Sequence, residues 1–200
     1  MNKEEIKKLD QEKIVGTYSR YDMVADHGKG AKCVSVDGKE YIDFTAGIGV
    51  NCLGFCDDGW VEAVTAQLKK LQHVSNLFYT QPCAKLAEQL CTRAGMAAAF
   101  FANSGAESNE GVIKLARKYS FDKYGKGRGT ITLKNSFHGR TITTLTATGQ
   151  DVFHNYFFPF DEGFRYARAG SMDSVQEVAG HDVCAVMLEL VQGEGGVLPM

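Results

Sequence analysis

The residues from 97 to 119 constrain the fold of this chain more than any other stretch. They open with a wholly apolar run at 97–101, which is typical of a strand buried on both faces. A cluster of small and polar residues follows at 102–106, and helical periodicity begins after it. The sequence therefore predicts a strand, a tight turn and the N-terminus of a helix. The apolar residues predicted on one face of that helix are Val112, Leu115, Ala116 and Tyr119.

Ser104 and Glu107 mark the start of this helix, because their S-x-x-E spacing is the signature of a capping box. At a helix N-terminus the first backbone N–H groups have no partner within the helix, and the helix dipole is positive there. With only small side chains at Ser104, Gly105 and Ala106, nothing bulky blocks an approaching phosphate. The alternative is an ordinary strand–helix connection that needs small residues to turn. Neither the Walker pattern nor G-x-G-x-x-G occurs at this turn, so a nucleotide is not the natural ligand.

Composition excludes several classes of protein. Hydrophobic residues make up 44% of the 200 residues and charged residues 23%, as in an ordinary globular protein. The net charge of −2 gives no reason to expect a nucleic-acid partner. The charged N-terminus lacks the apolar core of a signal peptide, and no apolar run reaches the roughly 18 residues of a membrane span, so a cytoplasmic location is expected.

The six cysteines predict neither a metal site nor a disulfide framework. None forms a C-x-x-C pair, and the one close pair has no matching pair downstream, so a metal site is not expected. Reduced thiols in a cytoplasmic protein are the expected state. The cysteines are Cys33, Cys52, Cys56, Cys83, Cys91 and Cys184.

A small antiparallel unit is predicted near the N-terminus. Residues 31–36 alternate apolar and polar side chains, Asp37-Gly38 is a hairpin turn signal, and residues 39–44 are the predicted return strand. Residues 3–13 could form a short charged helix, or a frayed leader.

Strands and helices alternate along the chain from about residue 60. This alternation predicts an α/β fold with a mostly parallel sheet and helices on both faces, preceded by the small antiparallel unit. We expect residues 1–50 to form an N-terminal segment and residues 51–200 the first part of a larger domain. The predicted helices are 60–71, 82–93 and 171–179, and the predicted strands after the first are 130–134 and 183–191.

Local signals place three of the predicted helix boundaries. Pro82 stands at the start of the second predicted helix, with its inward face formed by Leu86, Ala87 and Leu90. The glycine-rich, basic loop at 125–129 follows a helix, which favours a helix-terminating turn over a phosphate loop. A cap near Asp173 is expected to begin the helix at 171–179.

Three loops carry the side chains from which a site could form, and ligands of parallel sheets bind where strands end. The first loop is the phosphate turn at 104–106. The second contains Phe137, His138 and Arg140, which could cover a flat ring and hold a carboxylate by two parallel hydrogen bonds. The third contains Glu194, close to glycines and preceded by Glu189. A phosphate, a planar ring and a carboxylate together describe an amino acid bound to pyridoxal phosphate.

Each of these side chains also has a plainer interpretation. Phe137 could be a core aromatic, and His138 a turn residue with a backbone partner. Arg140 could be a surface ion pair of little energetic weight, and Glu194 a solvated loop carboxylate.

Three segments of the sequence, in this order, resemble the class III aminotransferases of fold type I, which use pyridoxal phosphate. The segments are FFANSGAESNEGVIKLARKY at 100–119, SFHGRT at 136–141 and LELVQGEGG at 188–196. The likeness begins near Tyr18 and continues to the last residue. The resemblance implies the first half of the large cofactor-binding domain of that fold, preceded by part of the small domain.

The resemblance implies cofactor-binding roles at two of the loops. Ser104, Gly105 and Ala106 would bind the cofactor phosphate through backbone and hydroxyl groups. Phe137 would stack on the pyridine ring, with His138 beside it.

The resemblance also implies a substrate side. Arg140 would bind the α-carboxylate, and Glu194 would help the pocket alternate between an amino-acid tail and 2-oxoglutarate. Tyr18 and Ile48 would line this side of the pocket.

The members that the chain resembles most transfer an amino group from N2-acetyl-L-ornithine to 2-oxoglutarate in arginine biosynthesis and pair as homodimers. Other members act on ornithine, succinylornithine or 4-aminobutyrate, and Ile48, which lacks a hydroxyl, fits the ornithine type less well. A non-catalytic binding or assembly module is the alternative from another class.

Family members continue well past the Q-G-E-G-G motif, and that continuation carries the lysine that bonds the cofactor. We therefore expect no catalytic residue of that kind in these 200 residues, and we expect the isolated chain to be inactive as a transaminase.

Overall fold

The computed structural model describes residues 1–125 and 127–200. Near the N-terminus, three short antiparallel strands form a sheet that contains the predicted hairpin and one further strand. The strands are β1 (Ala25–Lys29), β2 (Lys32–Ser35) and β3 (Glu40–Ile42), in the order β1-β2-β3. Gly38 makes the turn between β2 and β3 with a φ of +82°, which glycine adopts without strain. Strand β1 was not predicted, because its sequence ADHGK does not alternate.

Of the two alternatives for residues 3–13, the structure shows the charged helix, α1 (Lys3–Lys13). Asn2 begins it with a capping box shared with Glu5. Lys3 and Lys7 form ion pairs with Asp22, at 3.0 and 2.8 Å between Nζ and the carboxylate oxygens. The hydrogen bond from Lys7, followed by that from Lys3, lowers the pKa of the Asp22 carboxyl. These contacts connect α1 to the segment that leads into β1.

The first of two compact units, Met1–Thr80, also contains helix α2 (Asp58–Lys70), which the periodicity predicted at 60–71. Asp57 begins α2 by accepting a hydrogen bond from the backbone N–H of Trp60 at 2.9 Å. The predicted domain boundary between residues 50 and 51 stays a prediction.

The second compact unit, Gln81–Met200, contains a three-stranded parallel sheet. Its strands are β4 (Gly129–Leu133), β5 (Phe164–Ala167) and β6 (Val183–Val186), and β4 lies in the centre in the order β5-β4-β6. The helices of this unit are α3 (Gln81–Ala94), α4 (Gly105–Tyr124), α5 (Ile142–Ala147) and α6 (Met172–Val178), with a short 3-10 helix at Asp151–Phe153. Two further strands, β7 (Val191–Gln192) and β8 (Leu198–Pro199), pair antiparallel with each other.

Helices cover both faces of the parallel sheet, as predicted. Ile131 and Leu133 of β4 and Ala167 of β5 form the buried core on one face, where Val175 and Val178 of α6 pack against them. On the other face, the Tyr166 hydroxyl donates to the carbonyl of Thr146 in α5, and the Arg117 guanidinium of α4 lies 5.6 Å from the centre of the Phe164 ring. The α/β fold class is therefore confirmed.

The predicted strand at 97–101 is wrong. Residues 97–101 form no helix or strand, and Phe100 is 72% exposed. Apolar character alone does not produce a strand, because a buried strand also needs a neighbour with which to pair. The Phe100 ring instead lies against α4 at Gly111, where a Cβ atom would come within 2.9 Å of it.

The inward faces predicted for two helices are also wrong. In α4 the buried residues are Ile113 and Ser120, whereas Val112, Leu115 and Tyr119 are exposed. In α3, Leu86 and Leu90 are exposed. Helix α4 has apolar residues around most of its circumference, so periodicity could not select the face that packs on the sheet.

Gly125 ends α4 as predicted, with a φ of +68° and its N–H donating to the carbonyl of Phe121 at 2.8 Å. The rest of the predicted turn includes Lys126, which lies outside the described residues. Helix α6 begins at Ser171, whose side chain accepts from the N–H of Ser174, and not at Asp173, which lies in the first turn.

Among the described residues, no helix combines the length and apolar character that a membrane span requires. Within the same residues, no group of three or more His, Cys, Asp or Glu side chains is arranged to bind a metal ion.

Candidate active site

The N-terminus of α4 presents two backbone N–H groups that have no partner among the described residues. The Ser104 hydroxyl accepts a hydrogen bond from the Glu107 N–H at 3.2 Å, which is the serine half of the predicted capping box. The Ser108 N–H donates to the Ser104 carbonyl at 3.0 Å and so begins the helical pattern. Across residues 1–125 and 127–200, the structure gives no acceptor for the N–H groups of Gly105 and Ala106. A Cβ atom at Gly105 would meet nothing within 4 Å, so this end of the helix is open to a ligand.

Glu107 is held at the edge of this helix end. Its carboxylate accepts from the Asn103 amide at 3.2 Å and from the Ser104 hydroxyl at 3.3 Å. The Asn103 hydrogen bond is the main reason that the pKa of Glu107 lies below its ordinary value. Glu107 therefore stays ionised and fixes the two residues that precede the helix.

The second predicted loop follows strand β4 and is held by backbone hydrogen bonds on both sides. The Phe137 N–H donates to Oε2 of Glu189 at 3.0 Å. The His138 N–H donates to the Thr148 hydroxyl at 2.9 Å, while the His138 carbonyl accepts from the Asn109 amide at 2.8 Å. The conformation of the loop is thus set by partners on three other segments of the second unit.

The Phe137 side chain is half-buried, and its ring contacts one cationic and one aromatic side chain. The Arg140 guanidinium lies 5.5 Å from the centre of the Phe137 ring, within the range of a cation–π interaction. The Phe153 ring meets Phe137 edge-on, with 5.8 Å between ring centres. These contacts orient the Phe137 ring and keep the Arg140 head beside it.

His138 is only 5% exposed, and burial lowers the pKa of its imidazole against the opposing charge of Glu189. The ring is therefore predominantly neutral at pH 7. Its Nε2 atom is buried and has no hydrogen-bond partner within the described part of the chain. An orphaned polar atom of this kind is uncommon in a folded protein and is typical of a position that a ligand completes.

The loop after β4 packs directly on the first turns of α4. Gly139 has a φ of +131°, and a Cβ atom there would lie 2.8 Å from Cβ of Ala106 and 2.6 Å from Oγ1 of Thr144. The Thr141 hydroxyl donates to the carboxylate of Glu110. The phosphate turn and the loop with Phe137, His138 and Arg140, predicted as separate features, are therefore neighbours.

The third predicted loop joins the second through two amide side chains. Nε2 of Gln150 donates both to the Ser136 carbonyl, at 3.2 Å, and to the Glu194 carboxylate. Nδ2 of Asn135 donates to the Gly195 carbonyl at 2.8 Å. Glu194 is thus held next to the loop that carries Phe137, which brings all three predicted loops together.

Three polar residues that organise the site were not predicted from the sequence: Asn109, Thr148 and Gln150. Each was one polar residue among many, and only its distant partner reveals its role.

Tyr18 and Ile48 lie in the first compact unit, and both side chains are exposed. Their predicted place on the substrate side stays a prediction.

Comparison with known proteins identifies the class. The model of the family "Aminotransferase class-III" matches residues 16–200. The chain therefore belongs to the class III aminotransferases. The parallel sheet with helices on both faces agrees with this fold, and the homologues are enzymes that depend on pyridoxal phosphate.

Several proteins that are similar to this chain are named acetylornithine or ornithine aminotransferases. An acetylornithine aminotransferase of Haemophilus ducreyi is 55% identical over 199 residues, covering 98% of this chain and 51% of that protein. The crystal structure of N-acetylornithine aminotransferase from Stenotrophomonas maltophilia is 36% identical with a TM-score of 0.76, covering 96% of this chain and 46% of that one. The ornithine aminotransferase from Toxoplasma gondii is 27% identical with a TM-score of 0.93, covering 100% and 48%. The chain spans about half the length of the curated relatives it matches.

The residues at the site fit the cofactor of this family. The two unpaired N–H groups at Gly105 and Ala106 suit a phosphate, which needs donors at a positive helix end. The half-buried Phe137 ring suits a flat heterocycle, and Nε2 of His138 is a buried polar atom that has no hydrogen-bond partner among the described residues.

Proposed function

We propose that this chain carries the phosphate site and the carboxylate-binding loop of a pyridoxal-phosphate-dependent aminotransferase of the acetylornithine type. The observation that carries the proposal is the packing of the Phe137–Arg140 loop on the α4 N-terminus, with two N–H groups left unpaired beside it. The names of the most similar relatives support the acetylornithine type.

In this proposal the phosphate is bound by the N–H groups of Gly105 and Ala106 and by the Ser104 hydroxyl, which can turn to donate. Phe137 covers one face of the cofactor ring, and the neutral imidazole of His138 lies beside it. When bound, the cofactor acts as an electron sink that stabilises negative charge next to the amino group of the substrate. The protein supplies orientation and excludes water.

The proposed substrate is N2-acetyl-L-ornithine, with 2-oxoglutarate as the amino acceptor. Arg140 binds the α-carboxylate of the substrate, since a guanidinium can donate two parallel hydrogen bonds to it. Glu194 helps the pocket accept the two substrates in turn, and Tyr18 and Ile48 line the substrate side. Ornithine, succinylornithine and 4-aminobutyrate are the competing donors.

Turnover requires a lysine that bonds the cofactor, and we expect this lysine outside these 200 residues. Lys114 and Lys118 are on the outer surface of α4, away from the open helix end, and both are exposed. We further propose a homodimer in the cytoplasm as the working state.

Titration of the purified chain with pyridoxal phosphate tests this proposal. Absorbance and melting temperature report binding, and borohydride reduction followed by mass measurement reports a covalent bond. We expect saturable stabilisation without a covalent adduct and no turnover of N-acetylornithine. A stoichiometric adduct would contradict the absence of the lysine, and a folded chain that binds nothing would contradict the cofactor site.

A non-catalytic assembly module is the second candidate, and the exposed apolar residues of α3 and α4 favour it. Co-expression with the C-terminal half of an acetylornithine aminotransferase discriminates between the two. Restored turnover supports the enzyme, whereas association without turnover supports the module.

A further inference from the structure

One face of the first turns of α4 carries the loop that contains Phe137. Ala106, Asn109 and Glu110 are three and four residues apart and therefore lie on the same side of the helix. They contact the loop at Gly139 and at the His138 carbonyl, and they contact the hydroxyl of Thr141, which follows the loop. We call these three contacts the α4 latch.

Within the α4 latch, the contact of Asn109 is the hydrogen bond that orients the backbone of the loop. The Ala106–Gly139 contact is apolar and non-directional, and the Glu110 carboxylate contacts the hydroxyl of Thr141, a side chain beyond the end of the loop. Asn109 donates at 2.8 Å to the carbonyl of the residue next to Phe137. Because Thr148 accepts from the N–H of the same residue, the His138 backbone is held at both ends.

We propose that Asn109 is a positioning residue that sets the separation between the phosphate turn at Ser104–Ala106 and the Phe137 ring. This inference rests on the proposed function. A ligand that combines a phosphate with an aromatic ring gains both contacts at full strength only when the two parts of the site are already at the right distance. Asn109 supplies this preorganisation without touching the ligand, because its amide is used on His138.

The expected consequence is a selective loss of the ring contact. Without the Asn109 hydrogen bond, the loop must be ordered when the ligand binds, so the affinity for pyridoxal phosphate should fall about tenfold. Inorganic phosphate occupies only the helix end, and its affinity should not change. A role confined to stability would affect the two ligands equally.

The test uses the full chain labelled with ¹⁵N, with the Gly105 and Ala106 amide resonances reporting both ligands. Asn109→Leu keeps the approximate size of the side chain and removes the donor. Lys114→Ala, an exposed change on the same helix, is the matched control and should leave both affinities unchanged.

A double-mutant cycle with Phe137→Leu sharpens the result. Once the ring contact is gone, Asn109→Leu should have no further effect on the affinity for pyridoxal phosphate. Equal losses for pyridoxal phosphate and inorganic phosphate, no loss for either, or an undiminished effect in the Phe137→Leu background would overturn the proposal.

Hydrogen exchange of the ligand-free chain separates this inference from the proposed function. The amides of residues 137–141 should exchange faster in Asn109→Leu than in the parent chain, and unchanged exchange would overturn the positioning role. If the parent chain binds inorganic phosphate but not pyridoxal phosphate, the proposed function fails. The exchange rates then still decide whether Asn109 holds the loop.

Discussion

Gly139 shows how tightly the site is built at the level of single residues. Its φ of +131° belongs to a region that residues with a side chain rarely adopt, and neighbouring atoms leave no space for a Cβ. The close approach of the loop to Ala106 therefore depends on the absence of a side chain at this position.

Gly139→Ala should accordingly destabilise the second unit by about 2 kcal/mol or more, from backbone strain and from contact with Thr144 and Ala106. Gly170→Ala is the control, because Gly170 also has a positive φ, of +71°, but has open space around it. Urea unfolding of the two variants should give a clearly larger loss for Gly139→Ala. Equal losses would mean that crowding at Gly139 has no energetic weight.

Ser104→Ala should cost about 1 kcal/mol of unfolding free energy, because the N–H of Glu107 loses its acceptor at the helix start. It should also weaken pyridoxal phosphate binding, since a donor to the phosphate is lost. Ser108→Ala is a suitable comparison, because the Ser108 hydroxyl donates to the Ser104 carbonyl and caps none of the described backbone N–H groups at the helix start. Equal stability of the two variants would argue against the capping role.

The parts of the site that the sequence could predict are those with local causes. Ser104 and Glu107 are three residues apart, so their hydrogen bond is visible as a spacing. The partners of Asn109 and Gln150 lie 29 and 44 residues away, and no local pattern records such pairs. Apolar character predicted strand β4 correctly but predicted a strand wrongly at 97–101. The two runs look alike in sequence, because whether a run forms a strand depends on pairing with distant neighbours.

At the level of elements, α4 is a helix with two apolar sides. Ile113 is 2% exposed and lies on the buried side, whereas Leu115 is 68% exposed on the other. The predicted face at Val112, Leu115 and Tyr119 is therefore not the one that packs within this chain. The buried side of α4 packs on the sheet and so sets the position of the helix. The second apolar side does not contribute to this packing.

Ile113→Ala should lower the unfolding free energy of the second unit by about 2–4 kcal/mol, because it leaves a cavity in the core. Leu115→Ala should cost less than about 1 kcal/mol, since little buried area is lost. Chemical denaturation of both variants measures the difference. A large loss for Leu115→Ala would mean that its side is covered in solution, and size measurement by light scattering would then identify association.

At the level of the whole molecule, stability should depend on pH through His138. Burial places the pKa of this imidazole below its ordinary 6.5, so the unfolded chain binds a proton that the folded chain does not. Stability should therefore fall as the pH decreases below about 6.5, by at most about 1.4 kcal/mol per pH unit for one proton. Carboxyls with a lowered pKa, such as Asp22, titrate below 3.8 and do not contribute in this range.

His138→Gln should flatten this dependence between pH 6.5 and 5, whatever its effect on overall stability. His181→Gln, which replaces an exposed histidine by the same residue, is the matched control for the substitution itself. Melting temperatures across this pH range provide the measurement. A parent slope retained in His138→Gln would show that another group causes the dependence.

The central position of β4 also affects the order in which contacts can form while the chain is being synthesised. Strand β5 follows β4 in the chain and pairs on one side of it, and β6 pairs on the other side only later. The loop that carries Phe137 emerges from the ribosome more than 50 residues before Glu189 and the Gly195 carbonyl, its partners. A nascent chain that has reached only β5 thus already has the phosphate turn and the contacts of Asn109 and Thr148 with His138. It still lacks the contacts that Glu189 and Gly195 make with this loop. The loop that carries Phe137 therefore gains its last contacts only after the residues that follow β6 have been made.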